Sequence, residues 1–209
     1  MKTADVAATI VQVYPKKNGV LLAPGFGVIV RNHGRRFVLT AGHLVEEEES
    51  GEIWDRVHPE VAKNLGFESP AKLLWEGSGK AAERYAEGDL MSVPLEEGNG
   101  PATEQVEKHA GLLEPAWIAC LDYDPEDEVL IKRLDGQAGL VEAEDRFTVR
   151  LSCAGQGGMS GAPVFLRSTS EKGELALLGI YLGTPATTPL TRANIESHAK
   201  VAKVAGFIG

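Results

Sequence analysis

Short apolar runs rich in β-branched residues, each closed by a turn signal, recur along most of this chain, and that rhythm confines it to a fold of short antiparallel strands. The runs fall at residues 6–14, 19–30, 36–40, 72–75, 89–95, 117–122, 128–132, 146–152, 163–166 and 176–182. Helical periodicity between them is too scarce for parallel βαβ units. The 24 glycines and 11 prolines supply the tight turns that many short strands demand. The reading is all-β.

Three segments depart from the rhythm. Residues 58–66 carry proline where a helix starts and glycine where it stops, which predicts a short helix. Residues 102–113 have weak helical character and lie between two strand-rich halves, 1–98 and 116–209, so 99–115 reads as a linker. Thr191 can cap a C-terminal helix running to about residue 205, with Ile195, Ala199 and Ala202 on one face and Gly206 after it. The polar stretch 46–84 reads as an insertion over a cleft or as surface decoration, and the Glu46 to Glu49 run as a solvated loop.

Composition narrows the function. With 209 residues and 43% hydrophobic content the chain can bury a full core. Lys+Arg number 21 against 30 Asp+Glu, a net charge of -9, which disfavours binding to nucleic-acid phosphates or anionic membranes. The apolar runs are far too short to span a bilayer. The N-terminus shows no signal-peptide core, and only Cys120 and Cys153 are present, so reduced thiols and a cytoplasmic setting are expected. The histidines at 33, 43, 58, 109 and 198 and the two cysteines show no paired ligand spacing, so no metal or cofactor is expected.

Three segments carry chemistry. In Gly155-Gln156-Gly157-Gly158-Met159-Ser160-Gly161-Ala162-Pro163, glycines flank one serine. Such a loop lets backbone N–H groups converge beside a hydroxyl, as an oxyanion site requires. In Phe37-Val38-Leu39-Thr40-Ala41-Gly42-His43 an apolar strand runs into small residues and then a histidine able to face a cleft. In Gly88-Asp89-Leu90-Met91-Ser92-Val93-Pro94-Leu95 an aspartate opens an apolar strand. A carboxylate entering a core must be paired, and an imidazole N–H would pair it. Taken singly, each segment also has a bland reading as a turn, a structural histidine or a strand cap.

Their order His43, Asp89, Ser160, with the phrases Phe26-Gly27-Val28-Ile29-Val30, Leu39-Thr40-Ala41-Gly42-His43, Gly88-Asp89-Leu90-Met91, Gly158-Met159-Ser160-Gly161-Ala162-Pro163-Val164 and Leu178-Gly179-Ile180, resembles the chymotrypsin-like (trypsin-like) serine peptidase family over about residues 6–185. The resemblance implies two six-stranded antiparallel β-barrels, with the active site between them and the short C-terminal helix after them. It implies His43 and Asp89 on the first barrel and Ser160 on the second, with the N–H groups of Gly158 and Ser160 as the oxyanion hole. It also places Ala154 at the base of the first substrate pocket, where arginine- and lysine-cutting relatives carry an aspartate. Tyr181, Leu182 and Gly183 would form its other wall. A small or medium uncharged residue is then expected before the scissile bond. An α/β-hydrolase elbow is the other serine reading, but Ala162 interrupts its G-x-S-x-G pattern.

One departure is informative. Secreted digestive members carry an aspartate just before the serine, where it pairs with a newly cut N-terminus, and this chain has Met159 there. Activation by that route is not expected. The function implied is an intracellular serine endopeptidase acting on a protein or peptide substrate through an acyl-enzyme. The alternative is a non-catalytic binding or scaffold protein on the same fold. Short intracellular members of this family often work within regulated assemblies, so a regulatory protein or neighbouring domain is a compatible partner.

Overall fold

The computed structural model describes residues 3–45, 50–54, 73–78, 83–85, 89–95, 100–104, 106–123, 132–167, 174–183 and 199–205. A short helix, α1 (Thr3–Thr9), leads into an eight-stranded antiparallel sheet. Its strands are β1 (Ile10–Lys17), β2 (Val20–Leu21), β3 (Gly25–Asn32), β4 (Arg35–Ala41), β5 (Ser50–Trp54), β6 (Leu73–Ser78), β7 (Glu83–Tyr85) and β8 (Leu90–Pro94), in the spatial order β6-β5-β1-β3-β4-β8-β7 with β2 on β1. The second lobe is a closed barrel of β9 (Pro115–Tyr123), β10 (Lys132–Glu144), β11 (Thr148–Leu151), β12 (Pro163–Arg167), β13 (Leu175–Gly183) and β14 (Ala199–Lys203), ordered β10-β11-β14-β13-β12-β9. The all-β reading holds, with one correction. The second lobe is the six-stranded barrel expected, whereas among the described residues the first is a sheet and not a closed ring.

Local chemistry sets the hairpins. Asn18 and Gly19 have φ of 51° and 79°, and His33 and Gly34 have 47° and 79°, the paired left-handed residues of a two-residue turn matched to strand twist. Inside, Val38 and Val93 pack with Val11, Val13, Ile29 and Ile53 in the first lobe, while Ile118, Leu151, Val164, Leu178 and Val201 fill the barrel. A third cluster joins the lobes: Val28, Leu39, Ala41 and Leu90 meet Phe165, Leu177, Ile180 and Ala202. Fully burying a side chain such as Ile180 stabilises by about 2 kcal/mol, so the seam between the lobes is itself core.

Four expectations are corrected here. Residues 199–203 form strand and not the C-terminal helix: β14 pairs with both β11 and β13, and Ala199 and Val201 alternate inward with exposed Lys200 between them. Leaving those neighbouring edges unpaired inside the lobe would cost more than a helix could return. The described residues of the 102–113 linker form two single bridges and a turn at Gly111–Glu114, and none of them is helical. Thr103 bridges Val30 of the first lobe, and Val106 bridges Leu177 of the second. Residues 3–9, read partly as strand, form α1, which puts Val6 into the shared core. The described parts of 46–84 are strands β5, β6 and β7 within the first sheet rather than a separate insertion, and the predicted helix 58–66 lies outside the described residues.

Cys120 and Cys153 are free and half-buried. Burial, helped by Asp135 and Asp122, pushes the Cys120 thiol up to about 11, and burial raises Cys153 as well. Both shifts disfavour the thiolate, the nucleophilic form.

The linker is also held by charge. Lys203 Nζ donates to Glu144, whose other carboxylate oxygen accepts the Ala110 N–H at 3.2 Å. Burial alone would raise the Glu144 carboxyl, but the Lys203 ammonium and the Ala110 N–H outweigh it and hold it below its ordinary value. A carboxyl lowered by folding contributes stability above its unfolded-state pKa and loses it as pH falls through the folded one. Lys203→Met should therefore cost about 2 kcal/mol at neutral pH, since the half-buried Glu144 carboxylate loses its ammonium partner and keeps the Ala110 N–H and the His109 ring 3.5 Å away, and less in acid once Glu144 is protonated. Urea unfolding at pH 7 and in acid reads both. An equal cost at both would show that packing of the lysine stem, not charge, holds the linker.

Candidate active site

β4 carries the buried run Val38, Leu39, Thr40 and Ala41 to the edge of the first lobe, where the single turn α2 (Gly42–Val45) presents His43 to solvent, with 40% of its side chain exposed. Asp89 reaches the same edge because β8 pairs with β4 in the register Ala41↔Leu90. The Gly42 N–H donates to the Asp89 carbonyl at 2.7 Å. Asp89 adopts a left-handed φ of 52°, which its short polar side chain tolerates better than most. That twist turns the carboxylate onto the imidazole, with His43 Nδ1 and Asp89 Oδ2 2.7 Å apart. An ionised carboxylate only accepts, so the contact calls for a proton on Nδ1 and leaves Nε2 pointing away from Asp89. The other oxygen, Asp89 Oδ1, is buried and has no hydrogen-bond partner among the described residues, and a Cβ on Gly42 would lie 2.6 Å from it.

Ser160 sits on two consecutive tight turns. Met159 N–H closes the first onto Gln156 O at 3.2 Å, and Ala162 N–H closes the second onto Met159 O at 2.9 Å. The third residues of these turns, Gly158 and Gly161, have φ of 85° and 84°, where a side chain would be strained. Ser160 is thereby lifted to the second position of its turn. The turn is fastened across the seam by Phe26 N–H, which donates to Ser160 O at 2.8 Å, and within its own barrel by Gly161 N–H, which donates to Tyr181 O at 2.9 Å. A Cβ on Gly161 would overlap Phe26 O and lie 2.5 Å from Thr40 Oγ1, and that buried hydroxyl donates to Phe26 O at 2.6 Å. The serine turn thus rests on the strand that delivers His43.

Among the described residues, neither the Gly158 nor the Ser160 N–H donates to another group. Met159 is buried, and its sulfur accepts the Gln156 N–H at 3.2 Å, so the space before the serine is filled by a thioether. Ala154 and Gly155 are half-buried beside this turn. Of the other expected wall residues, Tyr181 lies against Gly155, Leu182 packs on the core shared by the lobes, and Gly183, at φ 119°, follows a register shift in β13. Gly42, Thr40 and the Phe26 backbone were not singled out from sequence as parts of the site. The signal for Thr40 was a hydroxyl inside an apolar strand. Among the described residues no group of three or more His, Cys, Asp or Glu could hold a metal, and no helix is long and apolar enough to cross a membrane.

The family model of the trypsin-like peptidase domain matches residues 25–176, which takes in both β4 and the serine turn. The chain belongs to the trypsin-like peptidase family. A search of curated proteins gives no significant sequence match. Among solved structures of trypsin-like fold, the serine endoprotease from Yersinia pestis is similar with a TM-score of 0.62 at 14% identity, over 98% of this chain and 62% of that one. The chain therefore spans less than two thirds of that enzyme. Tobacco vein mottling virus protease aligns at TM-score 0.60 and 11% identity, over 97% of this chain and 80% of that one. A catalytically inactive tobacco etch virus protease complexed with substrate aligns at 0.61 and 10%, over 98% and 81%. At these identities the likeness establishes fold.

In this member of the trypsin-like peptidase family, Gly42→Ala separates the His–Asp contact from the fold. The added methyl meets Asp89 Oδ1 at 2.6 Å and the Asp89 carbonyl carbon at 3.2 Å, so the carboxylate must rotate or retreat. A misplacement of about 1 Å commonly costs on the order of 100-fold in rate, and that loss is expected here with near-native unfolding. Unchanged turnover in Gly42→Ala would show that the carboxylate position is not critical.

Proposed function

We propose that this chain is a serine endopeptidase that hydrolyses peptide bonds of a protein substrate, inside the cell, through an acyl-enzyme on Ser160. His43 Nε2 takes the proton of Ser160 Oγ as the oxygen attacks the scissile carbonyl, then returns it to the departing amine. Asp89 fixes the Nδ1–H tautomer and stabilises the imidazolium that forms. The unengaged N–H groups of Gly158 and Ser160 receive the oxyanion, where each such donor is worth about 3 kcal/mol in the transition state. Water then attacks the ester with His43 again as base, and Ser160 is regenerated.

The observation that carries this reading is the 2.7 Å His43–Asp89 contact at the end of β4, the strand next to the β3 backbone that holds the Ser160 carbonyl. A binding module has no need for an imidazole oriented by a carboxylate. The test is labelling with an alkyl fluorophosphonate, followed by peptide mapping. Serine attack on phosphorus, with loss of fluoride, is expected at Ser160 alone. Labelling elsewhere, or none, would overturn the assignment.

A further inference from the structure

We propose that the Tyr181 ring plugs the cleft beside Ser160, so that the substrate residue whose carbonyl is attacked must be glycine, alanine or serine. The inference rests on the peptidase reading above and names its substrate class. An acyl group on Ser160 Oγ, with its oxygen on the Gly158 and Ser160 N–H groups, hangs its side chain from the adjoining carbon. Two pieces of backbone flank that position. One is Ala154–Gly155, which runs directly into the Gln156–Met159 turn. The other is the end of β13, tied to the serine turn by Gly161 N–H to Tyr181 O at 2.9 Å and Tyr181 N–H to Ala162 O at 2.8 Å.

The space between them is already occupied. A Cβ on Gly155 would overlap Cζ and Oη of Tyr181 and lie 2.6 Å from Cε2, so the phenol tip reaches across to the opposite wall. Gly155 has no left-handed φ that would call for glycine. Its missing side chain is explained by the ring. The ring is itself fixed, only 3% exposed and packed in the barrel core with Met159, Ala162 and Val201. Ala154 offers no charge at the base, so even a long side chain that displaced the ring would find no counter-charge for a cation. A methyl or hydroxymethyl group fits above such a plug. A benzyl or isobutyl group must force packed side chains off their rotamers.

The experiment uses short peptidyl diphenyl phosphonates whose terminal residue mimics alanine or phenylalanine. Ser160 Oγ forms a bond to phosphorus, phenol leaves, and His43 carries the proton across, so the rate is read at the nucleophile. Wild-type protein should react with the alanine analogue at least 100-fold faster than with the phenylalanine analogue. Tyr181→Val, which puts an apolar residue that favours strands in its place, should narrow that ratio at least tenfold. Equal wild-type rates, or a ratio unmoved in Tyr181→Val, would overturn the plug. Ethyl fluorophosphonate, too small to enter the cleft floor, is run on wild type alongside: if it also fails to react, the peptidase reading itself has failed, not merely its size limit.

Discussion

Ser160→Ala is expected to lower peptide hydrolysis by about 10^6-fold, the scale seen when the nucleophile of a serine triad is removed, with residual rate from the oxyanion donors and binding alone. The fold should not register the change. What Ser160 gives the architecture is backbone, its carbonyl accepting the Phe26 N–H and its turn closed by Met159 and Ala162. Alanine suits the second position of such a turn as well as serine does, so unfolding free energy should move by less than about 0.5 kcal/mol. Turnover of a mixed peptide library and a urea melt on the same sample read both quantities. If the variant kept more than a hundredth of wild-type turnover, another group would be the nucleophile.

The sequence betrayed the site better than it betrayed the ends of the chain, for a physical reason. A strand running into small residues and a histidine, or a serine among glycines, is a local requirement: Gly158 and Gly161 are needed for φ values of 85° and 84° whatever surrounds them. Hairpins at Asn18-Gly19 and His33-Gly34 are local in the same way. Residues 199–203 are not. Ala199 and Ala202 suit a helix face and Ala199 and Val201 suit a strand face, and only the free edges of β11 and β13 decide between them. The linker is decided likewise by Val30 and Leu177, distant in sequence. Gly42 and Gly155 are glycine because of Asp89 and Tyr181, and nothing near them in the chain announces either neighbour.

Asp89→Asn is expected to cost about 10^4-fold in turnover without costing stability. The amide that replaces the carboxylate can present its NH₂ to Nδ1, which then holds a lone pair and leaves the proton on Nε2, where Ser160 needs a base. No counter-charge remains for the imidazolium. Stability runs the other way. Asp89 holds a left-handed φ of 52° and, among the described residues, keeps Oδ1 buried without a donor, two local costs of about 1–3 kcal/mol each. Asparagine accepts that backbone at least as well and removes the charge, so urea unfolding of Asp89→Asn should be equal to wild type or higher. Near-wild-type turnover would remove Asp89 from the reaction. A variant clearly less stable than wild type would instead make the carboxylate a structural strut of the first lobe, with the His43 contact its by-product.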